Sequence, residues 1–298
     1  MIAPMAPATV HPDASAIFAA GVLDAQVVLI TGGGTGLGRS AAIEAARCGA
    51  HVVIAGRRAE VLIAAVAEIA AAAGEGQGVS HVVADIREPR GAEQIVDTVL
   101  ERHGRLDTLV NNAGGQYFVP AEAIAMKGWQ AVWRLNVGGT LNMTEAAVER
   151  AMRGAGRGMI VNVTFSPHQG MPGMAHSASA RAAVESLTRG LASQWEAIGV
   201  AVVAVAAGHY GTEATQKDPE VVRAGAARTV PLGRLGEPIE HAWLIALLAS
   251  PLGRCLNGSV VTLDGARDNW FGPWPPGELA DSGGVVPTEA RRVSGADS

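Results

Sequence analysis

The sequence predicts an α/β fold, a doubly wound parallel sheet in a single domain, and three observations carry that expectation. Apolar runs of strand length alternate with helical stretches along most of the chain, the rhythm of β-α-β crossovers. A glycine-rich loop follows the first apolar run and opens the first helix, the place where such sheets take nucleotides. Of the 298 residues, 48% are hydrophobic and 17% charged, enough for a sizeable core and unlike a disordered chain or a coiled coil.

Each element follows from its local pattern. Val27 to Ile30 is uninterrupted apolar sequence, as expected of a strand covered on both faces. After the glycine loop, Ser40 to Cys48 reads as helix, His51 to Ala55 as the second strand, and Glu60 to Ala73 as an Ala-rich helix stopped at Gly74. Val79 to Ala84 is the third strand, Gly91 to Arg102 a helix, and Leu106 to Val110 the fourth strand. Trp129 to Arg150 is a long helical stretch, Met159 to Val163 the fifth strand, and Ser177 to Ala197 another helix. Val200 to Val205, Ile239 to Leu248 and Ser259 to Leu263 complete the pattern as strand, helix and strand. The domain is expected over 24–267, after an N-terminal extension at 1–23 and before a Trp/Pro-rich tail at 268–298. Residues 208–238 break the rhythm as a lid-like insert over a site. The whole is a Rossmann-type organisation.

Composition narrows the function. A net charge of −5 without a basic stripe argues against nucleic acid as a partner. Cys48 and Cys255 stand in no CxxC pattern and are expected as small packed hydrophobes in a reducing compartment. The eight histidines show no metal-ligand spacing, so no metal is expected. No run of 18 apolar residues occurs, residues 1–23 lack the basic start of a signal peptide, and the final Ala-Asp-Ser is no peroxisomal address. The expectation is a cytoplasmic protein with no membrane contact.

The loop Thr31 to Gly38 reads TGGGTGLG. Glycines there let the backbone approach a pyrophosphate and aim helix N-terminal N–H groups at it, with Gly32, Gly34, Thr35, Gly36 and Leu37 as the expected contacts. A carboxylate after the second strand would take the adenosine ribose 2′-hydroxyl, but the chain has Arg57 and Arg58 there. Two guanidiniums and no acid favour NADP(H) over NAD(H).

From about Val22 to Gly265 the sequence resembles the short-chain dehydrogenase/reductase family. The resemblance rests on TGxxxGxG at Thr31, Gly32, Gly36 and Gly38, and on NNAG at Asn111, Asn112, Ala113 and Gly114. It implies that Asp85, with Ile86, meets the adenine, and that Asn136 organises a proton-relay water. The family's nicotinamide loop PGxxxT appears as Ala207 to Thr212, with Ala for Pro, which implies that Gly208, Tyr210 and Thr212 lie at the nicotinamide. Asp264-Gly265 matches the end of the last strand.

The family's Tyr-x-x-x-Lys motif is absent: the tyrosines are Tyr117 and Tyr210, the lysines Lys127 and Lys217, and no pair has that spacing. Ser177 and Arg181 hold its place. Arg181 keeps a positive charge near the nicotinamide ribose but cannot share a proton near neutral pH. The family's catalytic serine falls at Thr164 or at Ser166, depending on where a one-residue gap is placed.

The stretch around Ser177, together with NNAGGQYFVPAE, KGWQAVW and the late Asp268-Asn269-Trp270, resembles the 2,4-dienoyl-CoA and trans-2-enoyl-CoA reductases of that family. In that branch a serine with a downstream Lys or Arg replaces the tyrosine motif. The resemblance implies that Gln116 touches a thioester oxygen, Tyr117 lines the acyl slot, and Arg87 serves a phosphate of NADP(H) or of CoA. Chemistry makes the change coherent. Hydride addition to a ketone makes a localised alkoxide that needs a strong proton donor, whereas addition to an enoyl thioester makes a delocalised enolate that fixed donors stabilise. Gln116 and Ser177, with the charge of Arg181, would be such donors. His168 and His176 are candidate proton relays, Tyr210 a candidate substitute acid, and Trp195 a candidate for a subunit interface. Trp270 and Trp274 either cover the acyl slot or anchor the tail.

Three readings follow: an NADPH-dependent reductase of an enoyl or dienoyl thioester, a carbonyl reductase with an unusual acid, and a dinucleotide-binding protein of little activity. The helices from Trp129 and from Ser177 are apolar on more than one face, which predicts a homotetramer, with a homodimer as the alternative.

Overall fold

The computed structural model describes residues 14–74, 76–168, 170–215 and 225–269. Seven parallel strands form one sheet in the order β3-β2-β1-β4-β5-β6-β7. They are β1 (Val27–Thr31), β2 (His51–Gly56), β3 (Val79–Val83), β4 (Thr108–Asn111), β5 (Gly158–Phe165), β6 (Val200–Ala207) and β7 (Val260–Leu263). All seven apolar runs of the sequence are therefore strands. The central β5 and β6 are buried along their whole length and pair in register from Gly158 opposite Val200 to Phe165 opposite Ala207.

Helices cover both faces. On one lie α1 (Gly36–Arg47), α2 (Ala59–Ala70) and α8 (Pro238–Ala249), where Ala41, Ala45, Ala242 and Ala246 let α1 approach α8. On the other lie α3 (Pro89–His103), the run from Met126 to Ala155, and α7 (Ala175–Trp195), packed on Leu29, Leu109, Ile160 and Val202. That run is one rod of five pieces: α4 (Met126–Trp133), a π-helical turn (Arg134–Gly139), α5 (Thr140–Ala147), a second π turn (Val148–Met152) and α6 (Arg153–Ala155). The sequence predicts its helical character but not its π turns, because periodicity over eight residues does not resolve one extra residue per turn. Helix α1 also begins earlier than expected, at Gly36 rather than Ser40, because the last glycines of the loop already form its first turn.

A buried polar ladder ties the sheet to the second helix layer. Asn111 Nδ2 donates to Asn162 Oδ1 and to Thr144 Oγ1 (2.9 Å each), and Asn162 Nδ2 donates to Thr188 Oγ1 (2.9 Å). These bonds register β4 and β5 against α5 and α7. One expectation needs correction. Cys255 is exposed rather than packed, whereas Cys48 is buried and its thiol is pushed up to about 12 by desolvation and then by Glu44. Trp195 is half-buried and packs against the second core cluster. Of the lid at 208–238, residues 216–224 lie outside the described residues, as do Lys217, Trp270 and Trp274. Among the described residues, no helix is long and apolar enough to cross a membrane and no cluster of side chains could hold a metal ion.

Candidate active site

The strand order reverses at β1, whose neighbours are β2 and β4, and crossovers to opposite faces leave a crevice past the carboxyl ends of the strands. A cleft of about 490 Å³ opens there. It is walled by the glycine loop, by the residues just past β2, β3 and β4, by the end of β5, and by Ala207 to Thr212 after β6. The sequence-derived cofactor set is brought together on it: Gly32, Gly34, Thr35, Gly36, Leu37, Arg57, Arg58, Asp85, Ile86, Asn112, Ala113, Gly114, Arg181, Gly208, Tyr210 and Thr212 all line it, and so does Gln116.

The glycine loop is fixed by the segment after β4. Thr31 Oγ1 accepts from the N–H groups of Asn112 and Ala113 (3.1 Å each), and Asn112 Nδ2 donates to Thr31 O (2.9 Å). A Cβ on Gly38 would strike the Asn112 amide and the Gly32 carbonyl, so α1 can start only this close to the loop. The N–H of Gly36 points to the cleft and donates to a carboxylate oxygen of Glu213 (3.2 Å), while Arg39 pairs with the other oxygen. A negative group thus already rests on the α1 N-terminus, where dipole and free N–H groups favour an anion. The same donors fit a pyrophosphate.

At the end of the cleft past β2, Arg57 and Arg58 are exposed on the rim. Asp85 accepts from Arg87 Nε (2.9 Å) and Nη2 (2.5 Å), and this bond first, with the Arg87 and Arg57 charges, holds its carboxyl below the ordinary range. Arg87 is committed to Asp85 and does not line the cleft, which corrects its reading as a free phosphate ligand.

The end of the cleft past β5 and β6 carries no tyrosine-lysine pair. Arg181, on the second turn of α7, reaches up through the floor and its Nη2 lies against Gly114, where a Cβ would collide with it. Its guanidinium is buried, donates to Val163 O (2.8 Å), and is paired with no carboxylate among the described residues. Desolvation pulls it down to about 10, and it remains a cation at neutral pH. Ser177 lies one turn earlier on the same face, fully buried, with a hydroxyl that has no hydrogen-bond partner among the described residues and does not line the cleft. Asn136 lies in the first π turn. Its Nδ2 donates to Gly115 O and Val132 O (2.9 Å each) and its Oδ1 accepts from Gly115 N–H (3.3 Å), so it clamps the Gly115 loop onto the rod.

Tyr210 lines the cleft, but its hydroxyl donates to Leu263 O (2.8 Å), and burial, then Glu240 and Asp264, push its pKa upward. A phenol tied to a backbone carbonyl and made less acidic is a poor substitute acid, which corrects that reading. Ser166 donates to Asp264 and lies off the cleft, whereas Thr164, the other candidate for the family serine, lines it. Tyr117 lies edge-on to the buried His176 (ring centroids 4.3 Å), which also meets Trp129 (6.1 Å). His176 is held below the ordinary histidine value by burial, and among the described residues neither ring nitrogen has a hydrogen-bond partner.

Two residues were missed by sequence reasoning. Glu185 accepts from Thr164 Oγ1 (2.9 Å) and faces His168 Nε2 (3.1 Å). The signal existed: Ser177, Arg181 and Glu185 recur every four residues in an Ala-rich helix, a polar stripe aimed at the sheet. Glu213 left no signal, since its contact with α1 joins residues 177 positions apart.

The comparisons with known proteins agree with this geometry. A family model described as enoyl-(acyl carrier protein) reductase matches residues 32–266. A probable 2,4-dienoyl-CoA reductase [(2E)-enoyl-CoA-producing] of Bacillus subtilis is 35% identical over 258 residues, which cover 85% of this chain and 100% of that protein. Among solved structures, the citronellol catabolism dehydrogenase AtuB of Pseudomonas aeruginosa PAO1 is 37% identical with a TM-score of 0.75, covering 86% of this chain and 99% of that one. A short chain dehydrogenase from Bacillus anthracis is 34% identical with a TM-score of 0.73, covering 82% and 96%. With its parallel seven-stranded sheet, its glycine-loop cleft and these relatives, the chain belongs to the short-chain dehydrogenase/reductase family of oxidoreductases, whose members bind a nicotinamide dinucleotide.

Proposed function

We propose that the protein is an NADPH-dependent reductase of the carbon–carbon double bond of an enoyl or dienoyl thioester. The observation that carries this reading is the Arg181 guanidinium, a buried cation at the cleft with no carboxylate partner among the described residues. An uncompensated buried charge is costly unless an anion arrives to meet it. An enolate oxygen, formed when hydride adds to the β-carbon, is such an anion, and preorganised donors stabilise it most in a water-poor site. When bound, the reduced nicotinamide supplies the hydride. Gln116, exposed on the cleft wall, would donate to the thioester oxygen, and Arg181, also on the wall, would supply positive charge. Ser177, one helical turn from Arg181 and unpartnered, supplies a second donor once its rotamer turns toward the ligand.

Arg57 and Arg58 on the rim, with no acid beside them after β2, support NADP(H) as the cofactor. The name of the Bacillus subtilis relative supports an acyl-CoA as substrate. Asp85, Asn112 and the glycine loop are the proposed adenine and pyrophosphate contacts, and Tyr117 the lining of the acyl slot.

The test is NADPH oxidation on crotonyl-CoA and a dienoyl-CoA against a panel of small ketones and 3-oxoacyl thioesters. Turnover confined to the ketones would overturn the reading, and tight NADPH binding with no turnover at all would favour a non-catalytic dinucleotide-binding protein.

A further inference from the structure

Conjugate reduction needs a proton as well as a hydride, and the usual acid of this fold is absent. Tyr210 is tied to a carbonyl, and the ring nitrogens of His176 have no hydrogen-bond partner among the described residues. His168 is different. It follows β5, and each ring nitrogen faces a carboxylate: Nδ1 lies 2.7 Å from Asp268 Oδ2 and Nε2 lies 3.1 Å from Glu185 Oε1. A neutral imidazole has one N–H and can donate to only one of them, whereas the imidazolium satisfies both. The site is built around the ring. His168 N–H donates to Asp268 Oδ1 (2.6 Å), Asp268 N–H donates to Asp264 Oδ2 (2.7 Å), and Asp264 is held in turn by Ser166. On the inner side, Thr164 Oγ1 donates to the Glu185 oxygen that faces His168, and Thr164 lines the cleft beside Arg181. A continuous chain of exchangeable groups therefore runs from a partly exposed ring to the cleft wall.

We propose that His168 is the proton source of the reduction, feeding the cleft through Glu185 and the Thr164 hydroxyl. This rests on the reading of the site as a reductase of an activated double bond. The step balances as follows. The hydride, and with it two electrons, would come to the β-carbon from the reduced nicotinamide once bound. The Thr164 O–H bond breaks as its proton forms the new C–H bond at the α-carbon. Glu185, having taken the Nε2 proton of His168, returns a proton to Thr164 Oγ1. His168 is left neutral and regains its proton from solvent at its exposed edge. The Thr164 hydroxyl, which now donates to Glu185, turns toward the cleft when Glu185 is protonated. His168 and Glu185 thus act through Thr164, the member of the chain that meets substrate.

The electrostatics agree. Burial alone would lower the His168 pKa, but the Asp268 hydrogen bond and the Glu185 and Asp268 charges outweigh it and hold it above the ordinary histidine value. The ring is faced by Glu185 from α7 and Asp268 from the turn after β7; behind Asp268, Asp264 just past β7 accepts from its N–H, and Arg267 and His209 interact with Asp264. Desolvation first, then Arg267, hold His209 down to about 4, so it stays neutral where His168 titrates.

The experiment has two readouts. In the cofactor-free protein, the His168 ring proton, assigned by its loss in His168→Gln, is titrated by NMR. The midpoint should lie above about 6.5, the unperturbed histidine value, and fall in Glu185→Gln. In turnover, kcat should decline as pH rises through that midpoint. His168→Gln, shown to be folded by its NADPH affinity, should lose about 10²-fold or more in kcat at little change in KM, and its alkaline limb should vanish. A midpoint at or below the ordinary value overturns the relay, as does a His168→Gln enzyme within threefold of wild type with an unchanged pH profile. A ketone as the only substrate would defeat the enoyl reading and leave the relay to be judged by the same profile on that ketone.

Discussion

Replacing Arg181 should stabilise the cofactor-free protein while disabling it. The guanidinium is buried, and desolvation pulls it from 12.5 to about 10. At about 1.36 kcal/mol per unit that shift measures roughly 3 kcal/mol held against the charged form. Arg181→Met fills much of the same volume without the charge. It also strips the donor from Val163 O, and an unsatisfied buried carbonyl costs about 1–3 kcal/mol. The balance is a gain near 1 kcal/mol, or a rise of about 2–4 °C in Tm for a domain of this size. The sign can be checked by pH. The cation is disfavoured in the folded state at every pH below its folded value, so the gain should stay constant between about pH 6 and 9.

The opposite effect is expected on ligand. At an NADPH concentration one hundred times the wild-type Kd, the wild-type protein should gain about 2.7 kcal/mol of stability. A variant with tenfold weaker affinity gains only about 1.4 kcal/mol under the same conditions. Turnover of an enoyl thioester should fall about 10²-fold or more, the scale of one lost oxyanion donor. Thermal melting with and without NADPH, followed by kcat/KM on crotonyl-CoA, measures all three quantities. An Arg181→Met protein that melts several degrees below wild type, or one that keeps its kcat/KM, would refute the assignment of Arg181 as an uncompensated charge held for an anion.

Arg57 on the cleft rim should make NADPH bind at least about tenfold more tightly than NADH, a difference of ~1.4 kcal/mol, and Arg57→Asp should reverse the preference; equal dissociation constants in the wild-type protein would contradict this. Gln116→Ala should lower kcat/KM on an enoyl thioester by about 10²-fold, whereas Tyr210→Phe should stay within a few-fold of wild type and lose only about 1 kcal/mol of stability with its bond to Leu263 O; a large loss in Tyr210→Phe with Gln116→Ala unaffected would restore the carbonyl-reductase reading. The exposed Met126, Trp133 and Leu141 along the rod, between 39% and 70% accessible, need a partner surface, and sedimentation should give a homotetramer or a homodimer rather than a monomer at micromolar concentration.

What was legible in the sequence follows physical range. The strands were readable because a doubly covered parallel strand must be continuously apolar, as in VVLIT or VAVVAVAA. The glycine loop was readable because close approach of backbone to backbone leaves a residue-type signature, as at Gly38 beside Asn112. Arg87 was misread because a side chain two residues from an acid can turn either to it or to the cleft, and only the geometry shows it on Asp85. Cys255 was misread for a related reason. Composition alone does not say which face of a short helical turn meets solvent. The Asp268 carboxylate beside His168 was invisible for another reason: it is 100 positions away, and nothing in either local sequence announces the meeting.

Helix α7 is where these strands of argument join. A tyrosine-lysine pair places acid and cation in one unit, with the cation tuning the acid. Here the stripe Ser177, Arg181, Glu185 places a cation against the cleft floor and a carboxylate one turn further along, bonded to Thr164 and His168. Both residues touch β5, Arg181 through the Val163 carbonyl and Glu185 through the Thr164 hydroxyl, on consecutive residues of one strand. Adjacent residues of a strand point to opposite faces, yet a backbone carbonyl and a side-chain hydroxyl lie close enough for one helix face to hold both. In the proposed mechanism this arrangement would divide the labour of the missing pair: Arg181 to meet negative charge, and Glu185 with His168 to move the proton. A fold that rearranged only the sequence of α7 and the loop after β5 could change the class of bond it reduces while leaving the dinucleotide cleft untouched.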